Sequence, residues 1–136
     1  MLSKAGLLAL LVACTPPVAY RMDVAFSTSE QAEIRRAAAE WNAITTEDSQ
    51  ITEGDEWRVL KKVPQFNRNG ECSRSKRTIW IHPEHPGATV YEVAVHEFGH
   101  ALGLGHTTTG LMMGDVLSTE WTPEVLAECR KVGACK

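Results

Sequence analysis

The sequence predicts a single small domain of the α+β class. Some segments alternate apolar and polar residues, which is typical of half-buried strands, and others place apolar residues three and four positions apart, which is typical of amphipathic helices. The 136 residues are enough for one domain with a modest core. The formal net charge of −3 gives no reason to expect a nucleic-acid partner, which usually meets a basic face.

Residues 1–13 have the character of an export signal and not of a folded domain. Lys4 gives a positive start, and the apolar run at residues 5–12 is too short to span a bilayer. Residues 11–14 read Leu-Val-Ala-Cys and resemble a bacterial lipobox. That resemblance implies cleavage before Cys14, lipidation of this cysteine and anchoring to the cell envelope, at the outer membrane where one exists. An ordinary secretory signal with an incidental cysteine is the alternative.

After a short tether at residues 14–17, the domain at residues 18–136 is predicted to begin with a strand and a long helix. The strand is indicated by alternate apolar positions, which are Val18, Tyr20, Met22, Val24 and Phe26. Ser27 and Glu30 have the spacing of a capping box, which predicts the start of the helix. The helix has an apolar stripe formed by Ile34, Ala37, Ala38, Trp41 and Ile44. We predict that Trp41 is a core residue and not a ligand-binding one.

Residues 46–56 form an acidic loop in which we expect solvated carboxylates. Hard cations such as Ca²⁺ take oxygen ligands, so a calcium site is the alternative, but the spacing fits no calcium-loop pattern. The acidic residues of the loop are Glu47, Asp48, Glu53, Asp55 and Glu56.

Two further strands and a connection between them are predicted next. Residues 57–63 and residues 78–82 have strand character, and a proline ends each of them. Between them, residues 65–77 contain an Asn-Gly turn signal at positions 69–70, which indicates an exposed loop or hairpin. A basic rim that selects substrates is the lesser alternative for its cations, which are Arg68, Arg74, Lys76 and Arg77.

Three histidines at residues 96–106 form a candidate zinc site. His96 and His100 are four positions apart, so on a helix they lie on nearly the same face and about 6 Å apart along the axis. Neutral imidazoles in that arrangement can bind one Zn²⁺. Gly103 can adopt the left-handed conformation that ends a helix, and the resulting turn could bring back His106 as a third ligand. The fourth position would then be open to water, as in catalytic zinc sites.

The residue after the first histidine supplies a candidate general base. Glu97 can take a proton from a water molecule that attacks a carbonyl group. Thr89 and Glu92 have the spacing of a second capping box, which sets the start of the zinc helix seven residues before His96.

This stretch matches the pattern H-E-x-x-H-x-x-G-x-x-H of metzincin metalloproteases and resembles the zinc helix of the matrixins within that clan. Its five fixed positions would coincide by chance in on the order of one in 10⁷ windows. The resemblance implies a zinc-dependent endopeptidase with one catalytic zinc ion and a peptide substrate. It also implies a small catalytic domain with a twisted mixed β-sheet, a long N-terminal helix, an active-site helix and a C-terminal helix.

The resemblance extends to the residues around the zinc helix. Metzincins place a methionine beneath the zinc ligands in a tight turn, and either Met112 or Met113 can fill that role. The matrixin pattern of Leu followed by Met favours Met112. By the same family pattern, the wall of the pocket beyond the scissile bond is formed by Gly114, Asp115 and Val116.

The strand before the zinc helix tends to be the edge strand of the metzincin sheet. By resemblance, this strand would pair with an extended peptide substrate through Ile79, Trp80 and Ile81. Matrixins also carry a structural zinc site near here, but the aspartate and glycine spacing of that site is missing. We therefore expect His82 and His85 to be surface histidines.

The C-terminal segment is predicted to form a helix that begins at the Thr122-Pro123 cap and runs to about Lys131. Lipidation of Cys14 leaves Cys72, Cys129 and Cys135. An exported protein can hold disulfides, so Cys129 with Cys135, or Cys72 with either, is possible, and one thiol is left over.

Two other classes of function stay open at this point. One is a lipid-anchored, zinc-containing binding module that cleaves nothing, and the other is a zinc amidase that acts on cell-wall peptides. For all of these functions we expect a monomer. The retained Glu97 favours the endopeptidase.

Overall fold

The computed structural model describes residues 16–84 and 87–136. The predicted signal peptide, Cys14 and His85 lie outside the described residues. The helices and strands are β1 (Val18–Met22), α1 (Thr28–Asn42), β2 (Ile51–Glu53), β3 (Trp57–Lys61), β4 (Gly70–Ser73), β5 (Thr78–Ile81), α2 (Val90–Ala101) and α3 (Pro123–Lys131). Among the described residues, no helix has the length and apolar character needed to cross a bilayer.

The five strands form one mixed sheet in the order β2-β1-β3-β5-β4. The pairings of β1 with β2, of β1 with β3 and of β3 with β5 are parallel, and β4 pairs with β5 in the antiparallel direction. Helices α1 and α2 pack against each other, and α2 also contacts β4 and β5. The predicted α+β fold with a mixed sheet and three helices is confirmed.

Strand β5 is not the edge strand, so this part of the sequence-based prediction is wrong. The strand lies between β3 and β4, and its backbone is paired on both sides. Ile79 and Ile81 are 1% and 0% exposed, which leaves the predicted Ile79, Trp80 and Ile81 no free backbone edge for a substrate. The chain before β5 folds back on it as a hairpin, so β4 occupies the edge. The hairpin turn lies at residues 74–77, not at the Asn-Gly pair.

The first strand ends earlier than its alternating pattern predicts. Asp23 ends it because the Asp23 carboxylate accepts a hydrogen bond from the backbone N–H of Ala25 at 3.0 Å. Val24 is consequently 96% exposed, against the prediction, while Phe26 is buried as predicted. Helix α1 follows with both bonds of the predicted capping box, to and from Ser27.

The acidic segment at residues 46–56 is not entirely a loop, because it contains β2. The Asn42 side chain places this strand by donating to the Ile51 carbonyl and accepting from the Ile51 N–H, both at 2.7 Å. Two of its carboxylates form ion pairs: Glu53 with Arg35 at 3.0 Å and Asp55 with Arg21 at 3.6 Å. These two carboxylates are thus held by arginines.

His82 is buried and not a surface residue, which corrects the prediction. It is 5% exposed. Its Nδ1 accepts from the N–H of Glu84 at 3.1 Å, so Nε2 carries the proton and donates to the side-chain oxygen of Asn67 at 2.7 Å. The ring therefore connects the end of β5 to the loop before β4.

The buried apolar residues in the described part of the chain form one core, which runs from Val18 to Ala134. A disulfide between Cys129 and Cys135 joins the end of α3 to the last residues, and Cys72 is a free thiol. The structure thus selects one of the pairings that the sequence left open.

Trp41 connects the two main helices. It is fully buried, its indole N–H donates to the Val95 carbonyl of α2 at 2.8 Å, and its ring meets Trp121 edge to face at 4.6 Å. The predicted core role of Trp41 is confirmed.

We expect the substitution Trp41→Phe to lower the free energy of unfolding by about 2–3 kcal/mol, because it removes a buried hydrogen bond and leaves a gap between helices. The matched control is Trp80→Phe in β5, where the indole is only partly buried and the loss should stay below about 1 kcal/mol. Urea unfolding of both variants in one buffer measures the difference. Equal losses would mean that the α1–α2 contact does not depend on the Trp41 indole.

Candidate metal centre and active-site cleft

Helix α2 begins and ends where the predicted metal site requires. At its start, the Thr89 hydroxyl accepts a hydrogen bond from the N–H of Glu92 at 3.1 Å. At its end, Gly103 has a φ of +104°, a backbone conformation that side chains strongly disfavour. The chain reverses there, with the N–H of Leu104 donating to the Gly99 carbonyl at 3.0 Å. This is the reversal that the sequence predicts.

The reversal brings the three imidazoles together. The Nε2 atom of His100 lies 3.1 Å from Nε2 of His96 and 3.1 Å from Nε2 of His106. In the described part of the chain these three form a group that could hold a metal ion, with their ligand atoms within 4.8 Å of one another. The three predicted ligands are therefore adjacent in space.

Two backbone carbonyls fix the chemical form of these rings. The Nδ1 atoms of His96 and His100 each lie 2.8 Å from a carbonyl oxygen, that of Leu111 and that of Leu104 respectively. A carbonyl can only accept, so each Nδ1 carries the proton and, in a neutral ring, Nε2 has the free lone pair. Lone pairs directed at a common point are what a metal ligand set requires, so these residues fit a zinc ion.

Burial keeps the first two imidazoles neutral. It lowers the pKa of His96 to about 4, partly opposed by the hydrogen bond to Leu111, and it also lowers the pKa of His100. Neighbouring histidines lower both values further. A neutral imidazole is the form that binds a metal, so no proton has to be removed from these two rings at neutral pH.

Glu97 is buried beside the imidazoles with an unsatisfied oxygen. The side chain is 6% exposed, and its Oε2 has no hydrogen-bond partner in the described structure. Burial raises the pKa of Glu97 to about 8, with a smaller rise from Glu71 and a smaller opposing effect from Arg68. Such a carboxyl can hold or release a proton near neutral pH.

Strand β4 passes directly over Glu97, and Gly70 makes this possible. A side chain at Gly70 would place its Cβ 2.4 Å from Val93 and 3.0 Å from Oε1 of Glu97. Sequence reasoning used Gly70 only as a turn signal and did not assign this strand to the site. A glycine within a strand can indicate close backbone approach, and that signal was available.

Met112 lies under the metal-site helix. It is fully buried, while Met113 is partly exposed and lines the cleft. A Cβ at Gly99 of α2 would lie 2.3 Å from the Met112 sulfur, so the methionine packs where α2 lacks a side chain. This placement favours Met112 over Met113 as the predicted Met-turn residue.

The imidazoles open into a cleft of about 780 Å³. The predicted wall residues Gly114, Asp115 and Val116 line one part of it. The other wall comes from Asn69, Gly70, Glu71 and Cys72 of the β4 region, which sequence reasoning did not assign to the site. Arg68 and Arg74, two cations of the basic rim given as the lesser alternative, also line the cleft. Burial, with a smaller effect from Glu97, raises the pKa of the Cys72 thiol to about 12, so this thiol stays protonated.

Comparison with known families identifies this arrangement. The family profile Peptidase_M10, Matrixin, matches residues 16–125. The chain belongs to the matrixin family. The match contains all five strands, helices α1 and α2 and the three histidines.

Individual relatives of this matrixin domain match over shorter stretches. Stromelysin-3 of Homo sapiens is 34% identical over 71 residues, which are 51% of this chain and 14% of that protein. A hatching enzyme of Paracentrotus lividus is 42% identical over 41 residues, 30% of this chain and 7% of that protein. This chain therefore spans a small part of the length of either relative.

Among solved structures, the domain is similar to high choriolytic enzyme 1, a hatching enzyme zinc-protease from the medaka fish Oryzias latipes. The two superpose with a TM-score of 0.49 and 23% sequence identity, over 66% of this chain and 44% of that one.

The close packing of Met112 against Gly99, beneath the metal site of this matrixin domain, can be tested by substitution. We expect Gly99→Ala to lower the free energy of unfolding by about 2 kcal/mol, because the added methyl group overlaps Met112 and Trp41 and outweighs the gain in helix propensity. Gly105→Ala is the matched control, since its Cβ would meet only Glu128, at 3.8 Å, and should change stability by less than about 0.5 kcal/mol. Thermal and urea unfolding measure both. A neutral Gly99→Ala would show that Met112 can move aside freely.

Proposed function

We propose that this matrixin domain is a zinc-dependent endopeptidase in which Glu97 is the general base. The observation that carries the proposal is the buried Oε2 of Glu97, which has no partner in the described structure and lies next to three converging imidazoles. An unsatisfied carboxylate in an enclosed position lowers the stability of the protein. We therefore expect this group to have a chemical role and not a structural one.

His96, His100 and His106 would hold the metal through their Nε2 atoms. Zinc bound by three neutral imidazoles supplies Lewis acidity, which lowers the pKa of water and polarises a substrate carbonyl. The carbonyls of Leu104 and Leu111 keep two of these rings in the required tautomer and orientation.

Glu97 moves the protons of the proposed reaction. It accepts one proton from the attacking water as the water oxygen bonds to the peptide carbonyl carbon. It then gives that proton to the leaving nitrogen as the C–N bond breaks, which leaves a carboxylic acid and an amine. Burial raises the pKa of Glu97, and the positive charge of a bound zinc ion would lower it again, so the carboxylate that accepts the proton would be available when the metal is bound.

Strand β4 would position the substrate. It is one of the two edge strands of the sheet and lines the cleft next to Glu97. An extended peptide can add to such an edge through main-chain hydrogen bonds, the role first expected of β5. Val116 on the opposite wall is 63% exposed and offers an apolar contact for a substrate side chain.

The enzyme is proposed to be exported and anchored to the cell envelope by a lipid on Cys14. The lipobox-like residues 11–14 support this, as does the Cys129–Cys135 disulfide, which is typical of oxidising compartments. The substrate would be a protein or peptide, and the enzyme would act as a monomer.

We expect Glu97→Gln to retain zinc and to lose peptide cleavage by at least about 100-fold, because the amide keeps the shape of the side chain but cannot accept the proton. The control is Glu92→Gln, the same change on the same helix but outside the cleft, which should cleave like wild type. Metal analysis and mass spectrometry of a digested peptide mixture measure both properties. Cleavage by Glu97→Gln at the wild-type rate, or wild-type protein without zinc, would overturn the proposal.

The anchor has a separate test in the full chain, expressed in a bacterial host that carries out lipoprotein processing. We expect wild type to incorporate an alkyne-labelled fatty acid and to fractionate with membranes, and Cys14→Ala to do neither, because the acyl chains bind through this thiol. Cys72→Ala should keep the label. Unlabelled wild-type protein would indicate an ordinary secretory signal.

A further inference from the structure

The turn between β4 and β5 presents a group of exposed cations that the proposed catalytic function does not use. Arg74, Lys76 and Arg77 are exposed in a four-residue turn. Among the described residues, no ion pair within 4 Å involves any of these three cations. We call Arg74, Lys76 and Arg77, with the neighbouring Arg58, the basic tip.

The basic tip lies at the end of the sheet where the parallel strands begin, beside the residues that lead into β1. Strands β1, β3 and β5 are parallel, so their first residues lie at this same end. The N–H of Arg58, at the start of β3, donates to the Arg77 carbonyl at 3.0 Å. This hydrogen bond joins the tip to that end of the sheet. Pro16 and Pro17 lead into β1 and share a hollow of about 350 Å³ with Arg74 and Arg77.

Among the described residues that line this hollow, cations outnumber acidic groups. Glu56 lines the same hollow as Pro16 and Arg74. Asp55 is nearby in sequence, but Arg21 pairs with it at 3.6 Å. The exposed Arg58 adds a fourth cation. The basic tip is therefore a local excess of positive charge on a chain whose formal net charge is −3.

A local positive charge beside a lipid anchor is attracted to anionic headgroups. The three residues from Thr15 to Pro17 can separate a lipid on Cys14 from β1 by roughly 10–14 Å at most. A tether of that length would keep the basic tip near the bilayer surface, where salt screens its attraction to the headgroups least.

We propose that the basic tip binds the anionic headgroups of the bilayer and holds the domain in a fixed orientation on it. The inference rests on the proposed lipid anchor for its choice of partner, because the tether emerges among these cations. Without the anchor, exposed cations of this kind would also bind other polyanions.

The orientation has a consequence for the cleft. Arg74 lines both the hollow at Pro16 and the active-site cleft, and its guanidinium would lie 3.4 Å from a Cβ at Gly103, at the end of the metal-site helix. One end of the cleft therefore opens beside the bilayer-facing end of the sheet. The substrates reached in this orientation are peptide segments close to the membrane surface.

The test uses residues 15–136, which contain all of the core that the structure describes, from Val18 to Ala134, but lack Cys14. Co-sedimentation is measured with vesicles of about equal phosphatidylglycerol and phosphatidylcholine, and with phosphatidylcholine alone. We expect binding only to the anionic vesicles, and its loss when salt rises from about 0.01 M to about 1 M. The variant Arg74→Gln/Lys76→Gln/Arg77→Gln should bind about 100-fold more weakly, since each cation contributes about fivefold.

The matched control is Lys62→Gln/Lys131→Gln/Lys136→Gln, which removes three exposed cations elsewhere and should bind within about threefold of wild type. Equal losses in the two triple variants would overturn the proposal, as would wild-type binding that does not distinguish anionic from neutral vesicles. Binding to a soluble polyanion such as heparin without binding to vesicles would also overturn it. Because the assay needs neither Cys14 nor peptide cleavage, failure here is distinguishable from failure of the anchor or of the protease.

Discussion

The candidate site depends on two backbone carbonyls. The Leu111 and Leu104 oxygens each accept the Nδ1 proton of a histidine, and this leaves the Nε2 lone pairs of His96 and His100 directed at a common point. Neither carbonyl belongs to helix α2. The reversal at Gly103 brings back the Leu104 carbonyl. The segment at residues 107–113, in which the Thr107 N–H donates to the Met112 carbonyl at 3.0 Å, brings the Leu111 carbonyl. The chain after the helix thus determines what the helix can bind.

Two glycines are as important for the position of the metal-site helix as the side chains that pack around it. Gly99 leaves the space that Met112 and Trp41 fill beneath the helix, and Gly70 leaves the space through which the edge strand passes over Glu97. A methyl group at either glycine would come closer than 3 Å to a neighbouring atom. The helix is therefore packed from below against buried apolar side chains, and the backbone of β4 lies close to Glu97 beside the cleft.

Features encoded by local chemistry could be predicted from the sequence, and features set by strand order could not. The histidine spacing, the glycine stop, the capping box at Ser27 and the core role of Trp41 each depend on a few neighbouring residues. The edge position depends on which strands pair across the sheet, and the short polar strand β4 has no apolar alternation that would reveal it. His82 was misplaced for a similar reason, because its partner Asn67 lies on a loop whose course only the fold determines.

Glu97 distinguishes an enzyme from a domain that only binds zinc. A binding module needs the three imidazoles and their carbonyl partners, and Glu97 is neither a member of that set nor bonded to it. Its burial raises the free energy of the ionised carboxylate, and a glutamine or an apolar residue would avoid that cost. The fold nevertheless accommodates this carboxyl, and Gly70 of a different element provides the room beside its other oxygen. The structure therefore accommodates a carboxyl that contributes neither to the metal ligand set nor to the apolar core, which supports the proposed role of Glu97 in proton transfer.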